Sequence, residues 1–292
     1  MTSLGFGVSG PHGQGWFSEK KLTRLIAQAV DGGVRDFDAA PFYGEAEARL
    51  GRALRATRAA GVIVSTKTGT RREGGRVVKD FSQGAIRADA EASLKRLHRD
   101  ALDMLYLHGP AVNEIDAALP ALLALKAEGK VKAIGVCGEG APLDHALSTG
   151  FDAIMGAYNI IDRRHAGIFA RARACGVQTV AIAPLAQGAF ANPKAPWTLS
   201  GLWRLARTAI RRKPPEDLVE KARAALLDIE GLPASGAALA FVLQGGLASL
   251  AITTTTNSAH LAETLAAARH PVSEALIARL TALALDPAEG QS

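Results

Sequence analysis

The stretch VRDFDAAPFYGEAEARLG, residues 34–51, runs from a short β-rich segment through a turn into a helical pattern. Pro41 and Gly44 are turn formers, so the strand should end before them and a helix should begin after them. The stretch also sets an aspartate, Asp38, at the strand's end and a tyrosine, Tyr43, five residues later in the turn. Asp38 could cap the helix and Tyr43 could be packing. The surrounding sequence decides between that reading and a chemical one.

The same unit recurs outward in both directions. Candidate strands fall at residues 4–8, 34–40, 62–67, 102–108, 133–137, 151–158, 179–184 and 249–255. Amphipathic stretches separate them. In EKKLTRLIAQAVDGG, for example, Leu22, Leu25, Ile26, Ala29 and Val30 keep a helical period. Gly32, Gly129, Gly150, Gly176 and Gly231 stand where left-handed helix caps are expected. Eight strands, each followed by helix, imply a parallel sheet, and this count and length match a closed (β/α)8 TIM barrel. A doubly wound open sheet is the alternative, but no G-x-G-x-x-G turn follows the first strand. No composition break divides the chain, so residues 1–292 are expected to form a single barrel domain. Residues 185–215 form a long, Gly-, Pro- and Trp-containing connection after strand seven.

Composition narrows the class. The 292 residues are 48% hydrophobic and 21% charged, ordinary values for a globular chain. There is no apolar run long enough to span a membrane and no signal-peptide pattern, so a cytoplasmic protein is expected. Cys137 and Cys175 form neither a disulfide framework nor a zinc spacing, and no metal site is expected. The net charge of +6 includes the dense segment RLARTAIRRK, residues 204–213. That segment reads as a solvated helix face or, alternatively, a phosphate-binding element. Nucleic acid is not the expected partner, because no recognition motif accompanies the charge.

In a (β/α)8 barrel the active site lies at the C-terminal ends of the strands. Asp38 ends the second strand and Tyr43 follows in its loop. Lys67 ends the third strand in VSTKTG, and His108 ends the fourth in LYLHGP. Each alone is an ordinary cap or loop residue. Together, from successive strands, they place an acid, a phenol, an amine and an imidazole at one mouth. A phenol titrates near pH ~10, and a neighbouring ammonium stabilises its ionised form. Such a set can give a proton to a developing alkoxide or remove one from an alcohol.

With these residues in view, the chain resembles the aldo-keto reductase superfamily. The resemblance rests on GGVRDFDAAPFYGEAEARLG, VSTKTG, LDMLYLHGP, GKVKAIGVCG, YNIIDRR, APLAQG and ITTTTNSAHLAETL, which together span nearly the whole sequence. It implies a barrel that binds NADP or NAD across its mouth and reduces an aldehyde or ketone, or oxidises the alcohol. It also implies a tetrad of Asp38, Tyr43, Lys67 and His108, with Tyr43 as general acid. Cofactor contacts are expected from Cys137, Gly138, Met155, Ile182, Pro184, Leu185, Gln187, Gly188, Thr255, Thr256, Asn257 and Glu263. Trp16 and Phe42 are expected to meet a small-molecule carbonyl or alcohol substrate, with Phe17, Trp197 and Trp203 as further loop aromatics.

The sequence departs from the family where the nicotinamide is held. Cys137 and Gly138 replace a Ser-Asn pair, Met155 a glutamine, Ile182 an aromatic and Ala183 a serine. Each lost hydrogen bond costs roughly 0.5–1.5 kcal/mol net. The loop TTTTNSAH, residues 253–260, has no cation for a 2′-phosphate, so strong NADP selectivity is not expected. The same departures motivate the alternative of a redox-neutral lyase or isomerase that uses the tetrad for acid-base chemistry.

Overall fold

The computed structural model describes residues 3–186, 189–190, 216–227, 229 and 231–283. Its strands are β1 (Ser3–Gly7), β2 (Asp36–Asp38), β3 (Ile63–Thr68), β4 (Thr70–Glu73), β5 (Arg76–Lys79), β6 (Leu102–His108), β7 (Val131–Cys137), β8 (Ala153–Ala157), β9 (Gln178–Ile182) and β10 (Leu250–Thr253). Eight of them form a closed ring in the order β1-β10-β9-β8-β7-β6-β3-β2. Every pairing in the ring is parallel, and β1 closes on β10 with Ser3 opposite Leu250. The chain is thus a (β/α)8 TIM barrel rather than an open sheet, with strand ends within two residues of the sequence expectation.

Helices α1 (Glu19–Asp31), α2 (Ala46–Ala56), α3 (Gln83–Leu97), α4 (Val112–Ala127), α5 (Ala141–Ala146) and α6 (Ala166–Ala174) surround the ring. So do α7 (Glu216–Leu226), α8 (Ala234–Gln244), α9 (Ser258–Arg269) and α10 (Glu274–Ala282). α1 shows why they form. Ser18 caps it by accepting from Lys21 N, and its apolar stripe buries Leu22, Leu25, Ile26 and Ala29 against the barrel. The left-handed residue after this helix is Gly33, with φ of 88°, whereas Gly32 keeps a φ of −72°. The cap expected at Gly32 is therefore one residue later. Gly129, Gly150, Gly176 and Gly231 do adopt positive φ.

Two apolar layers result. The larger packs outward-facing strand residues such as Phe6, Phe37, Leu105, Leu107, Ile134 and Val136 against the helices. The smaller fills the barrel interior with Met104, Tyr106, Cys137, Met155, Val180, Leu250 and Ile252. Strand alternation also points Asp36, Asp38, Ser65 and Lys67 inward, so one arc of the interior is polar and the opposite arc apolar.

Two features were not foreseen. β4 and β5 form an antiparallel hairpin in the connection after β3. Arg163, in the YNIIDRR segment, reaches the end of α10. Its guanidinium donates to the carbonyls of Leu280 and Thr281, each at 2.6 Å, and lies over the Phe241 ring, 5.0 Å from the centroid.

Candidate active site

Pairing register brings the four candidate polar residues to one rim. Asp38 sits opposite Ser65, Lys67 opposite Tyr106, and His108 opposite Cys137. Lys67 Nζ donates to Asp38 Oδ2 at 2.5 Å and to the Ala39 carbonyl at 3.0 Å. Ser65 Oγ donates to the other carboxylate oxygen at 2.9 Å. Lys67 is only 2% exposed and Asp38 5%. Burial is the largest influence and would depress the ammonium, but the Asp38 charge and hydrogen bond, together with the charges of Tyr43 and Cys137, outweigh it and raise the Lys67 pKa above its ordinary value. Lys67 therefore stays cationic inside the barrel. Asp38, which could have been a helix cap, is instead its counter-ion.

Tyr43 lies on a 3-10 turn, Pro41–Tyr43, immediately above this pair. Lys67 Nζ stands 5.4 Å from the centroid of its ring. The rings of Tyr43 and His108 meet edge to face at 6.0 Å, and Phe42 lies edge-on to His108 at 5.6 Å. The turn is held by close backbone contact with the segment Gly10–Gly13. Glu45 N donates to Gly13 O at 3.0 Å, and a Cβ on Gly13 would fall 1.5 Å from the Tyr43 carbonyl oxygen. Only glycine fits there. Arg49 of α2 secures the same segment by donating to the carbonyls of His12 and Phe17 and pairing with Glu45.

His108 is held neutral. Burial, and then the nearby Lys67 and Lys79 charges, pull its pKa down to about 3. Its Nδ1 is buried without a hydrogen-bond partner. A second imidazole, His12, is fully buried between Phe6 and Phe17, with neither nitrogen in hydrogen-bond geometry. Burial lowers its pKa to about 4; the Thr255 backbone lies near enough to oppose this only in part.

Among the described residues, the other expected contacts fall on β7, β8 and β9, the connections after them and after β10, and α9. Cys137 is buried, its thiol pushed up to about 11 by burial. Met155 is 1% exposed and belongs to the interior apolar cluster, with Ile182 packed against it. Pro184 is buried and Leu185 half-buried, between Ala183 and Ala186, both left-handed at φ of 54° and 47°. Left-handed alanines are strained, and such residues gather at ligand clamps. Thr255 Oγ1 accepts from Asn257 N, and Asn257 caps α9 by accepting from Ala259 N, so these side chains first order their own loop. Thr256 is half-buried, and Glu263 is exposed on α9. Gln187, Gly188, Trp197, Trp203 and the basic segment 204–213 lie outside the described residues. Of the proposed substrate aromatics, Phe42 meets Tyr43 and His108, whereas the ring contact of Trp16 is to Phe17.

A nicotinamide dinucleotide fits this rim by space and backbone more than by side-chain donors. A Cβ on Gly138 would meet nothing within 4 Å, leaving open room beside Cys137. The N-terminus of α9 follows the end of β10, and the positive end of a helix favours a phosphate.

Sequence reasoning did not single out Ser65, Gly13, Arg49 or His12. Ser65 was visible in principle, since it lies two residues before Lys67 on the same strand and so shares its face.

The family model described as the aldo/keto reductase family matches residues 3–285. An L-galactose dehydrogenase from Arabidopsis thaliana is 31% identical over 205 residues, 64% of this chain and 63% of that protein. A D-threo-aldose 1-dehydrogenase from a Pseudomonas species is 34% identical over 179 residues, 50% of this chain and 54% of its own. The chain thus aligns with less than two thirds of the length of these curated relatives. A solved aldo-keto reductase from Bacillus halodurans, in its holo form, superposes with a TM-score of 0.80 at 24% identity, covering 95% of this chain and 91% of that one.

Proposed function

The chain belongs to the aldo/keto reductase family, and from that premise we propose that it interconverts a small aldehyde or ketone and its alcohol with NADP or NAD, using Tyr43 as proton donor. The observation that carries this reading is the buried Lys67–Asp38 pair, 2.5 Å apart, set beneath the ring of Tyr43. A fixed ammonium favours the phenolate and so eases proton release from a group whose reference pKa is about 10. Asp38, itself held by Ser65, keeps that ammonium charged and in place. His108, neutral, has one N–H to offer a carbonyl oxygen and can orient it toward the phenol. The reduced nicotinamide, when bound, supplies the hydride. Cys137, Gly138, Met155, Ile182, Pro184 and Leu185 would hold the nicotinamide end. Thr255, Thr256, Asn257 and Glu263 would hold the adenosine end. The names of the two dehydrogenase relatives place aldoses among the substrates to screen.

The small and apolar groups at Cys137, Gly138, Met155 and Ile182, where nicotinamide-holding groups were expected, favour a second reading, redox-neutral acid-base chemistry at Tyr43. One experiment separates the two. With an aldehyde panel, the reductase reading expects one NAD(P)H consumed per alcohol formed. Tyr43→Phe should then lower kcat by about 10²-fold or more while dinucleotide affinity, followed by tryptophan fluorescence, holds. Product formation without NAD(P)H would establish the redox-neutral reading, and near-full turnover by Tyr43→Phe would remove Tyr43 from either.

A further inference from the structure

The hairpin after β3 is not used by the proton-transfer set, yet it stands over the mouth. Its register pairs Thr70 with Lys79, Arg71 with Val78, Arg72 with Val77 and Glu73 with Arg76. Residues opposite one another, and residues two apart, share a face. Thr70, Arg72, Val77 and Lys79 therefore occupy one side of the hairpin, and Arg71, Glu73, Arg76 and Val78 the other.

Contacts identify the first side as the one that meets the rim. Thr70 Oγ1 donates to the His108 carbonyl at 2.6 Å, and Lys79 Nζ donates to the Gly109 carbonyl at 2.8 Å. The Arg72 guanidinium lies over the Phe42 ring, 4.6 Å from its centroid, and Phe42 in turn touches both His108 and Tyr43. Lys79 is close enough for its charge to act on the His108 ring.

On the second side Arg71 is neutralised, whereas Arg76 at the hairpin tip has no carboxylate within 4.0 Å among the described residues. Arg71 pairs with Glu73 at 2.6 Å and approaches Asp89. Lys67, below the mouth, is matched by Asp38. Arg72 and Lys79 have no carboxylate within 4.0 Å among the described residues, although both are exposed. The rim beside Tyr43 and His108 thus carries two uncompensated cations.

The geometry points to Arg72 and Lys79 as specificity-determining residues that select a carbonyl substrate bearing an anionic oxygen group, carboxylate or phosphate, at the end remote from its carbonyl. This rests on the reductase reading above and names the substrate class for the same site. Arg72 Nη1 donates to the Gly75 carbonyl at 3.4 Å, and the guanidinium, held over Phe42, keeps its remaining N–H groups for bonds to anionic oxygens. Lys79 spends one proton on Gly109 and keeps two. Exposed, unpaired cations at a mouth also raise the local concentration of anionic substrates.

The test compares kcat/KM within matched pairs: benzaldehyde with 4-carboxybenzaldehyde, and D-glyceraldehyde with its 3-phosphate. Wild-type protein should prefer the anionic member of at least one pair by about tenfold or more, as expected for charge-assisted bonds. The pair that shows the preference distinguishes carboxylate from phosphate. Arg72→Gln and Lys79→Met should each collapse the ratio, and Arg76→Gln, on the opposite face, should leave it intact. A wild-type ratio near one in both pairs overturns the inference, as does a ratio that survives both rim substitutions. Absence of turnover with every aldehyde would instead count against the reductase reading. The inference would then be judged by calorimetric binding of 4-carboxybenzaldehyde, where tighter binding than benzaldehyde that is lost in Arg72→Gln supports it. Equal binding of the two overturns it.

Discussion

The ring of His12 sits inside the protein beside Phe6 and Phe17, neutral because burial lowers its pKa to about 4. An unfolded chain would protonate this imidazole near pH ~6.5. Between those two values the unfolded state binds the extra proton, so stability falls as pH drops from about 6.5 to 4 and is flat with respect to this group below that. The shift amounts to roughly 3 kcal/mol at about 1.4 kcal/mol per pKa unit. His12→Leu should therefore flatten the acid limb of stability, measured as urea midpoints at pH 7 and pH 4.5. An unchanged acid limb would show that the ring is protonated or hydrated in place. The neighbouring residues also show what a sequence discloses at this scale. Asp38, Tyr43, Lys67 and His108 could be read as one set because strand ends in a barrel converge. Their pairing could not be read, because Lys67 meets Asp38 across 29 positions. His12 gave no signal at all, since a histidine in GPHG looks like any turn residue until the aromatic walls close on it.

Among the elements, most barrel strands were legible as short β-rich runs bounded by turn residues, and β2, only DFD, was legible from the turn residues that follow it. The β4–β5 hairpin was missed because TRRE and RVVK lack the apolar-polar alternation that announces a half-buried strand. The dipeptide between them was the available clue. Gly74 and Gly75 form a two-residue loop with φ of 55° and 82°, the backbone of a type I′ hairpin turn. A Cβ at Gly75 would touch nothing within 4 Å, so substitution there costs only backbone strain. Gly75→Val should destabilise the hairpin by about 1–2 kcal/mol. Hydrogen exchange should then quicken by about tenfold at β4 and β5 amides, with barrel amides unaffected. If barrel amides quicken equally, the hairpin is part of the barrel's cooperative unit rather than an appendage to it.

At the scale of the molecule, eight βα units sufficed to foretell a closed ring, but nothing in the sequence foretold how the chain's last described helix is secured. Arg163 supplies that bond by donating to the final carbonyls of α10. Hydrogen bonds from a charged group contribute about 1.5–3 kcal/mol. Arg163→Ala should therefore free α10 preferentially, seen as faster exchange or proteolysis across residues 274–283 ahead of global unfolding. Simultaneous loss of protection everywhere would mean that α10 is integral to the barrel. The distribution of polar and apolar arcs around the ring has a consequence of another kind. Asp38, Tyr43, Lys67, His108 and both hairpin cations all precede the turn after α4, while Gly138, Met155, Ile182 and the α9 terminus all follow it. On the proposed roles, the polypeptide would divide into an amino-terminal half-barrel for proton transfer and substrate charge and a carboxy-terminal half-barrel for the dinucleotide. If those roles hold, exchanging halves between relatives at a single crossover near Gly129 should carry substrate preference with the first half and cofactor preference with the second.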